Sequence, residues 1–372
     1  MSLVYSLTVT GCADPTSVYI SYTGASTDAA GNVTTANPSS TSATPVATDR
    51  TLPTVTTWSA NQTSPSRATS LTYSLVFSEA ISGLSASDFT VGGTGCVASV
   101  DASAGTTFTV TLSSCNAGIS ATVFLKASTV SDAAGNVGPA SVTSTLTTVT
   151  DRTAPTVSSF TTTATSPTKL TSIAYTLTMS ESVQTLSASD FTVTGCSGVA
   201  VTGSGTTWTI TLTSCTDGVT ATIAAKTSIV DTAGNALAAS YTSPTSLVID
   251  YTAPSITLSA PSSPSTATTL TFTITATETL TGLAASDFSV TGTSCAIGTL
   301  SGPVSLVYSL TVTGCADAAS VYISYTGTST DAALNTTTSN LSSTSATPVV
   351  IDRTAPTVTW STSSASSTNI LP

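Results

Sequence analysis

The sequence predicts an all-β chain of repeated two-sheet sandwiches, each about 100 residues long. Three observations predict it. Apolar runs are short, rich in Val, Ile, Leu and Thr, and cut by Gly, Pro, Asn or Asp; none sustains the period of a helix, so strands are read throughout. Only 7% of the 372 residues are charged, against roughly a quarter in ordinary domains. Ser and Thr fill that space, which suits pleated, half-exposed strands. The third observation is a long internal repeat.

The phrase "DRTLPTV" at 49–55 returns as "DRTAPTV" at 151–157, "DYTAPSI" at 250–256 and "DRTAPTV" at 352–358. Its first residues, Asp49, Asp151, Asp250 and Asp352, are 102, 99 and 102 residues apart. "SLVYSLTVTGCAD" occurs at 2–14 and again, letter for letter, at 305–317, an offset of 303 residues, which is three of those steps. The unit is therefore near 100 residues, inside a near-verbatim block of three. Full units are expected at 49–150, 151–249 and 250–351, with the C-terminal half of a unit at 1–48 and the first strand of another at 352–372. On this register the chain opens inside a unit and reads as a window on something longer. Solenoid repeats run about 20–45 residues and cannot each bury a core; a unit of this size can.

Within the middle unit strands are expected at 156–164, 170–179, 190–194, 197–202, 206–213, 218–226 and 240–249. The Ser-Pro turn "TSPT" ends the first, because Pro cannot join a central ladder. The alternating run that follows reaches Glu181, and "SDF" then opens the third strand. Cys196 and Cys215 bracket a hairpin of the fourth and fifth strands. "DTAGN" at 231–235 links the sixth to the seventh. Seven strands with turn signals every 8–12 residues describe an immunoglobulin-like sandwich.

The seven cysteines are one pair per unit plus one. Cys96–Cys115, Cys196–Cys215 and Cys295–Cys315 are separated by 19, 19 and 20 residues. Each pair meets across the open end of its hairpin, within disulfide reach. The plainer alternative is free thiols buried as small apolar groups. Zinc is disfavoured: the chain has no His, and two thiolates cannot complete a tetrahedral site. Disulfides imply an oxidising, extracytoplasmic setting. Cys12 matches Cys315 under the 303-residue offset, and its expected partner falls outside the chain.

The few acids gather. Alternating strand directions bring the junction Asp, the Glu that ends the second strand and the Asp of the closing "DxAxN" loop to one pole, with the cysteines at the other. The candidate sets are Asp49, Glu79, Asp132 and Asn136; Asp151, Glu181, Asp231 and Asn235; and Asp250, Glu278, Asp331 and Asn335. Carboxylates and an amide carbonyl are the oxygen ligands that Ca²⁺ takes. Against this stands a purely structural reading, since Asp and Asn recur in turns by bonding their own backbone.

At "D-x-T-A-P", "FSEAISGLSASDFTV" and "DAAGN" the sequence resembles the bacterial Ig-like repeats of large surface adhesins and other giant exported proteins. The resemblance spans essentially the whole chain. It implies tandem Ig-like domains used mostly as spacers, often with calcium near the domain junctions to stiffen the rod. Two features depart from the family pattern, the paired Cys in every unit and Leu334 where the other units have Gly.

Other chemistry is absent. The net charge is −11, and seven Lys and Arg build no basic stripe for nucleic acid. No apolar run reaches the length of a membrane span, and Met1 is not followed by a signal-peptide pattern. Without His there is no Ser–His or Cys–His machinery. Carboxylates repeated identically in every unit suit a structural role better than a glycosidase, so no enzymatic activity is expected. The expected function is a structural segment of an extracellular rod, stalk or fibre, acting as a spacer or assembling laterally or end to end with copies of itself. The alternative is an adhesin module gripping a host-surface glycan or protein through its loops.

Overall fold

The computed structural model describes residues 4–34, 45–337 and 348–361. The middle unit shows how the sequence builds its sandwich. Its strands are Val157–Thr162, Ser172–Met179, Phe191–Thr194, Cys196–Ser204, Thr207–Cys215, Thr220–Ala225, and a last one in two pieces, Tyr241–Thr242 and Leu247–Val248. The first, second, fifth and fourth lie side by side in one antiparallel sheet, and the third, sixth and seventh form the other. This is the strand order of the seven-stranded constant-type immunoglobulin sandwich. The flanking full units repeat it, with Leu71–Ser82 and Thr269–Ala276 as their second strands.

Period-two alternation sets the inner faces. In Ser172–Met179 every second side chain is buried (Ile173, Tyr175, Leu177 and Met179), while the intervening residues face outward. Trp208, Ile210 and Leu212 do the same on the fifth strand, and Ala221, Ile223 and Ala225 on the sixth. Phe160 lies between the sheets against Tyr175 at 5.9 Å and Phe191 at 6.1 Å, ring centre to ring centre. Burying each such large side chain is worth about 1.5–3 kcal/mol. Three separate apolar clusters form in this way, one for each full unit.

Two expectations need correction or limits. The stretch 4–10, part of the half-unit expected at 1–48 and equivalent to the fifth strand Val307–Thr313, is not a strand, and among the described residues it pairs with no second or fourth strand. Residues 352–361 likewise form no strand, and the rest of the expected strand in 352–372 lies outside the described residues. A short hairpin, Val130–Ser131 with Val137–Gly138, frames the closing loop of the first full unit and was not anticipated. Among the described residues no helix is long and apolar enough to cross a membrane.

Candidate functional site

Each closing loop is built by its own Asp. In the first full unit Asp132 Oδ1 accepts the backbone N–H of Ala134 (2.8 Å) and of Asn136 (2.9 Å). Asp132 Oδ2 accepts Asn136 Nδ2 at 2.8 Å. Asp231 and Asp331 hold Asn235 and Asn335 in the same way. Gly135 and Gly234 occupy the left-handed turn position at φ 90°, and Leu334 takes it at φ 70°. Asp132, Asp231 and Asp331 are buried.

The same Asn reaches the junction. Asn136 Nδ2 donates to the carbonyl of Asp49 at 3.0 Å, Asn235 Nδ2 to that of Asp151 at 3.0 Å, and Asn335 Nδ2 to that of Asp250 at 2.9 Å. The junction Asp, the Glu and the loop Asp consequently converge: in each full unit one carboxylate oxygen from each lies within 4.8 Å of the others. Two oxygens on one Ca²⁺ stand at most about 5 Å apart at its usual bond lengths, so the spacing fits that ion. The amide nitrogens of Asn136, Asn235 and Asn335 are the engaged atoms, and they fix the loop Asp and the junction backbone beside the cluster. Asp88, Asp190 and Asp287, which share this pole by strand order, turn away to accept the N–H groups of Ser85, Ser187 and Ala284.

Electrostatics follow the crowding. Burial, then the charges of Asp49, Asp132 and Asp14, push the Glu79 carboxyl above the ordinary glutamate range. Burial raises Glu181 in the same way, with Asp151 and Asp231 adding to it, and raises Glu278, with Asp250, Asp331 and Asp217. The Asn136 amide, with backbone N–H groups, holds Asp132 below the usual range against the opposing effect of burial.

The cysteines lie at the far end of each unit, beside the next junction. Sulfur–sulfur bonds join Cys96 to Cys115 (2.10 Å), Cys196 to Cys215 (2.03 Å) and Cys295 to Cys315 (2.16 Å). Cys12 is a free thiol. Cys196 and Cys215 are direct cross-strand partners, so the bond staples adjacent strands of one sheet, whereas the antibody disulfide crosses between sheets.

Sequence reasoning missed the residues that clasp one unit to the next. Arg152 Nη1 donates to the carbonyl of Cys115 at 2.9 Å, and its Nη2 to that of Ala68 at 2.8 Å. Arg353 grips the carbonyls of Cys315 and Ala267, Arg50 that of Cys12, and Tyr251 Oη that of Leu170. Asp14, Asp217 and Asp317 add a second hold. Each accepts the backbone N–H of the residue after the junction Asp (Arg50, Tyr251 and Arg353) and the hydroxyl of the following Thr, namely Thr51, Thr252 and Thr354. Ala117 stands at the equivalent place before Asp151 and offers no such acceptor. The signals were present, as the residue after the junction Asp and as a "C-x-D" found at three of four junctions.

A model of the bacterial Ig-like domain family matches residues 49–149 and 151–248. The chain belongs to that family. Among solved structures it is similar to the Escherichia coli adhesin FdeC, at 15% identity over 82% of this chain and 98% of that one, with a TM-score of 0.36. It is also similar to the I9–I11 tandem of titin, at 6% identity over 81% and 99% of the two chains (TM-score 0.26). A marsupial T cell receptor matches at 10% identity over 78% and 97% (TM-score 0.28). No curated protein matches the sequence.

Proposed function

We propose that this chain is a segment of an extracellular rod, stalk or fibre. It is made of disulfide-stapled Ig-like beads divided at 49–150, 151–249 and 250–351, and it serves as a spacer rather than as a catalyst. The observation that carries this is the repetition of one junction. With no linker between them, the junction Asp is bound by the following unit through Asn136, Asn235 or Asn335. The next residue is bound by the preceding unit. A chain gripped from both sides at three successive joints resists bending. Identical sites in every bead suit load-bearing better than recognition, which needs one distinctive surface.

Calcium is part of this reading. Asp49, Glu79 and Asp132, and their equivalents in the next two beads, would hold the ion, which would cancel their mutual repulsion. The loop of residues 28–32 has the same internal hydrogen bonds as the others, although among the described residues no Glu–Asp pair is grouped with Asp28. The turn therefore closes by itself, and a cation would act on the junction Asp and the Glu.

Small-angle scattering of the full chain in calcium and in chelator tests the reading. A rod of constant cross-section, longer and stiffer with calcium, is expected. A flexible, collapsed particle in both conditions would overturn the spacer function. An equally stiff rod in both would remove calcium alone. Sedimentation velocity on the same samples reads lateral or end-to-end assembly.

A further inference from the structure

We infer that Arg67 and Lys169 are rotational stops: each reaches across a joint to the closing loop of the following bead and fixes how that bead is turned about the rod. This rests on the rod reading and adds to it the residue that sets bead orientation. The stops sit in a recurring socket, residues 66–68, 168–170 and 265–267, just past each Ser-Pro turn. Its first carbonyl, on Ser66, Thr168 or Ser265, accepts the N–H of the junction Asp at 2.9, 2.9 or 3.1 Å. Its third, on Ala68, Leu170 or Ala267, accepts the side chain of the next residue, Arg152, Tyr251 or Arg353, at 2.8, 3.1 or 2.7 Å. With both ends of the socket bound to the connector, its middle residue is held beside the joint.

That middle residue differs among the sockets. Lys169 Nζ donates to the Leu334 carbonyl in the closing loop of the third full unit. Arg67 lies beside the equivalent Gly234, where a Cβ would stand 3.5 Å from its Nε and 3.7 Å from its Cδ. Thr266 fills the third socket with no cation. The loops are firm receivers, since Asp231 and Asp331 already bind them internally. They lie beside the connector, because Asn235 and Asn335 hold them to the junction Asp. Bonds along one connector resist bending but leave the beads free to turn about it, and such motion is the default unless a large apolar interface stops it. A contact on the loop, to the side of the connector, supplies the second point that an orientation needs. The other cations are already engaged. Arg50, Arg152 and Arg353 bind carbonyls of the preceding unit at their junctions, and Lys126 and Lys226 hold Ser87 and Ser189 within their own beads. Five of the chain's seven Lys and Arg thus serve joints.

Residual dipolar couplings of the full chain in a dilute aligning medium report whether the middle and third full units share one alignment tensor. One tensor is expected for the native chain. Lys169→Thr, which copies the third socket, should split it into two whose magnitudes differ at least about twofold, the scale of population shift that an exposed contact carries. Lys169→Arg, which copies the first socket, should restore a single tensor. Melting temperatures and the three disulfides should be unmoved in both variants, because Lys169 is exposed and packs in no core. Small-angle scattering of Lys169→Thr should keep the native length, since the connector still resists bending. Two tensors in the native chain, or one in Lys169→Thr, would overturn the inference and leave the rod standing. A collapsed particle with independent beads would overturn both.

Discussion

Asn235 Nδ2 is shared between two acceptors, the Asp231 carboxylate at 2.8 Å and the Asp151 carbonyl at 3.0 Å. One amide thus ties a loop of the bead to the residue where that bead begins. Replacing it with Ala leaves a buried Asp231 oxygen and a backbone carbonyl short of a donor. The expected loss is about 1–3 kcal/mol, read as a lower melting temperature of the middle bead by calorimetry, with the other two transitions unmoved.

Leu334 holds a left-handed conformation at φ 70° where Gly135 and Gly234 stand in the other beads, and its side chain is exposed. A non-Gly residue there costs roughly 1–2 kcal/mol, and little packing is lost on trimming it. Leu334→Gly should stabilise the third bead by about 1 kcal/mol. A melting temperature that falls instead would mean that the side chain packs usefully.

The Cys196–Cys215 bond closes a loop with a sequence separation of 19. Removing such a constraint costs about 3 kcal/mol in the chain-entropy account. A Cys196→Ser, Cys215→Ser chain should lose that stability in denaturant titration of the middle bead while the flanking beads keep theirs. An unchanged midpoint would show that strand pairing alone suffices.

Acid titration separates the two kinds of carboxylate in the cluster. Glu181 is raised in the folded state, so it is ionised there at a cost, and that cost is relieved as pH falls through its raised value toward the ordinary glutamate range. In chelator the melting temperature should therefore rise as pH falls from neutral toward the ordinary glutamate range, and Glu181→Gln should raise it at neutral pH and flatten that rise. Asp132 works oppositely: its lowered value contributes stability above the ordinary aspartate range, lost as pH falls through the folded value. Calcium on the cluster would cancel the benefit of Glu181→Gln, because it favours the ionised form.

The joints are unequal. Asp217 accepts Tyr251 N–H at 2.7 Å and the Thr252 hydroxyl at 2.5 Å, whereas Ala117 leaves the joint at Asp151 without that hold. Proteolysis of the native chain should cut first near residue 151. Asp217→Ala should make the joint at 250 comparably sensitive, and Ala117→Asp should protect the one at 151. Cleavage rates indifferent to both changes would remove the carboxylate clasp from the account.

The strand class, the bead length and the cysteine pairs were legible in the sequence, because each rests on periodicity or on spacing along the chain. Alternation in "SIAYTLTM" needs no partner to be recognised, and neither does a pair of Cys flanking one hairpin. The grouping of Asp151, Glu181 and Asp231 was legible too, since strand direction alone brings their segments to one pole. Only the tertiary structure decided what those groups do there. It turned Asp190 away, gave Asn235 the role of a donor, and set Arg152 against carbonyls of the preceding bead. Those outcomes depend on hydrogen-bond direction between segments some 40–80 residues apart, and distances of that kind exist only once the chain is folded.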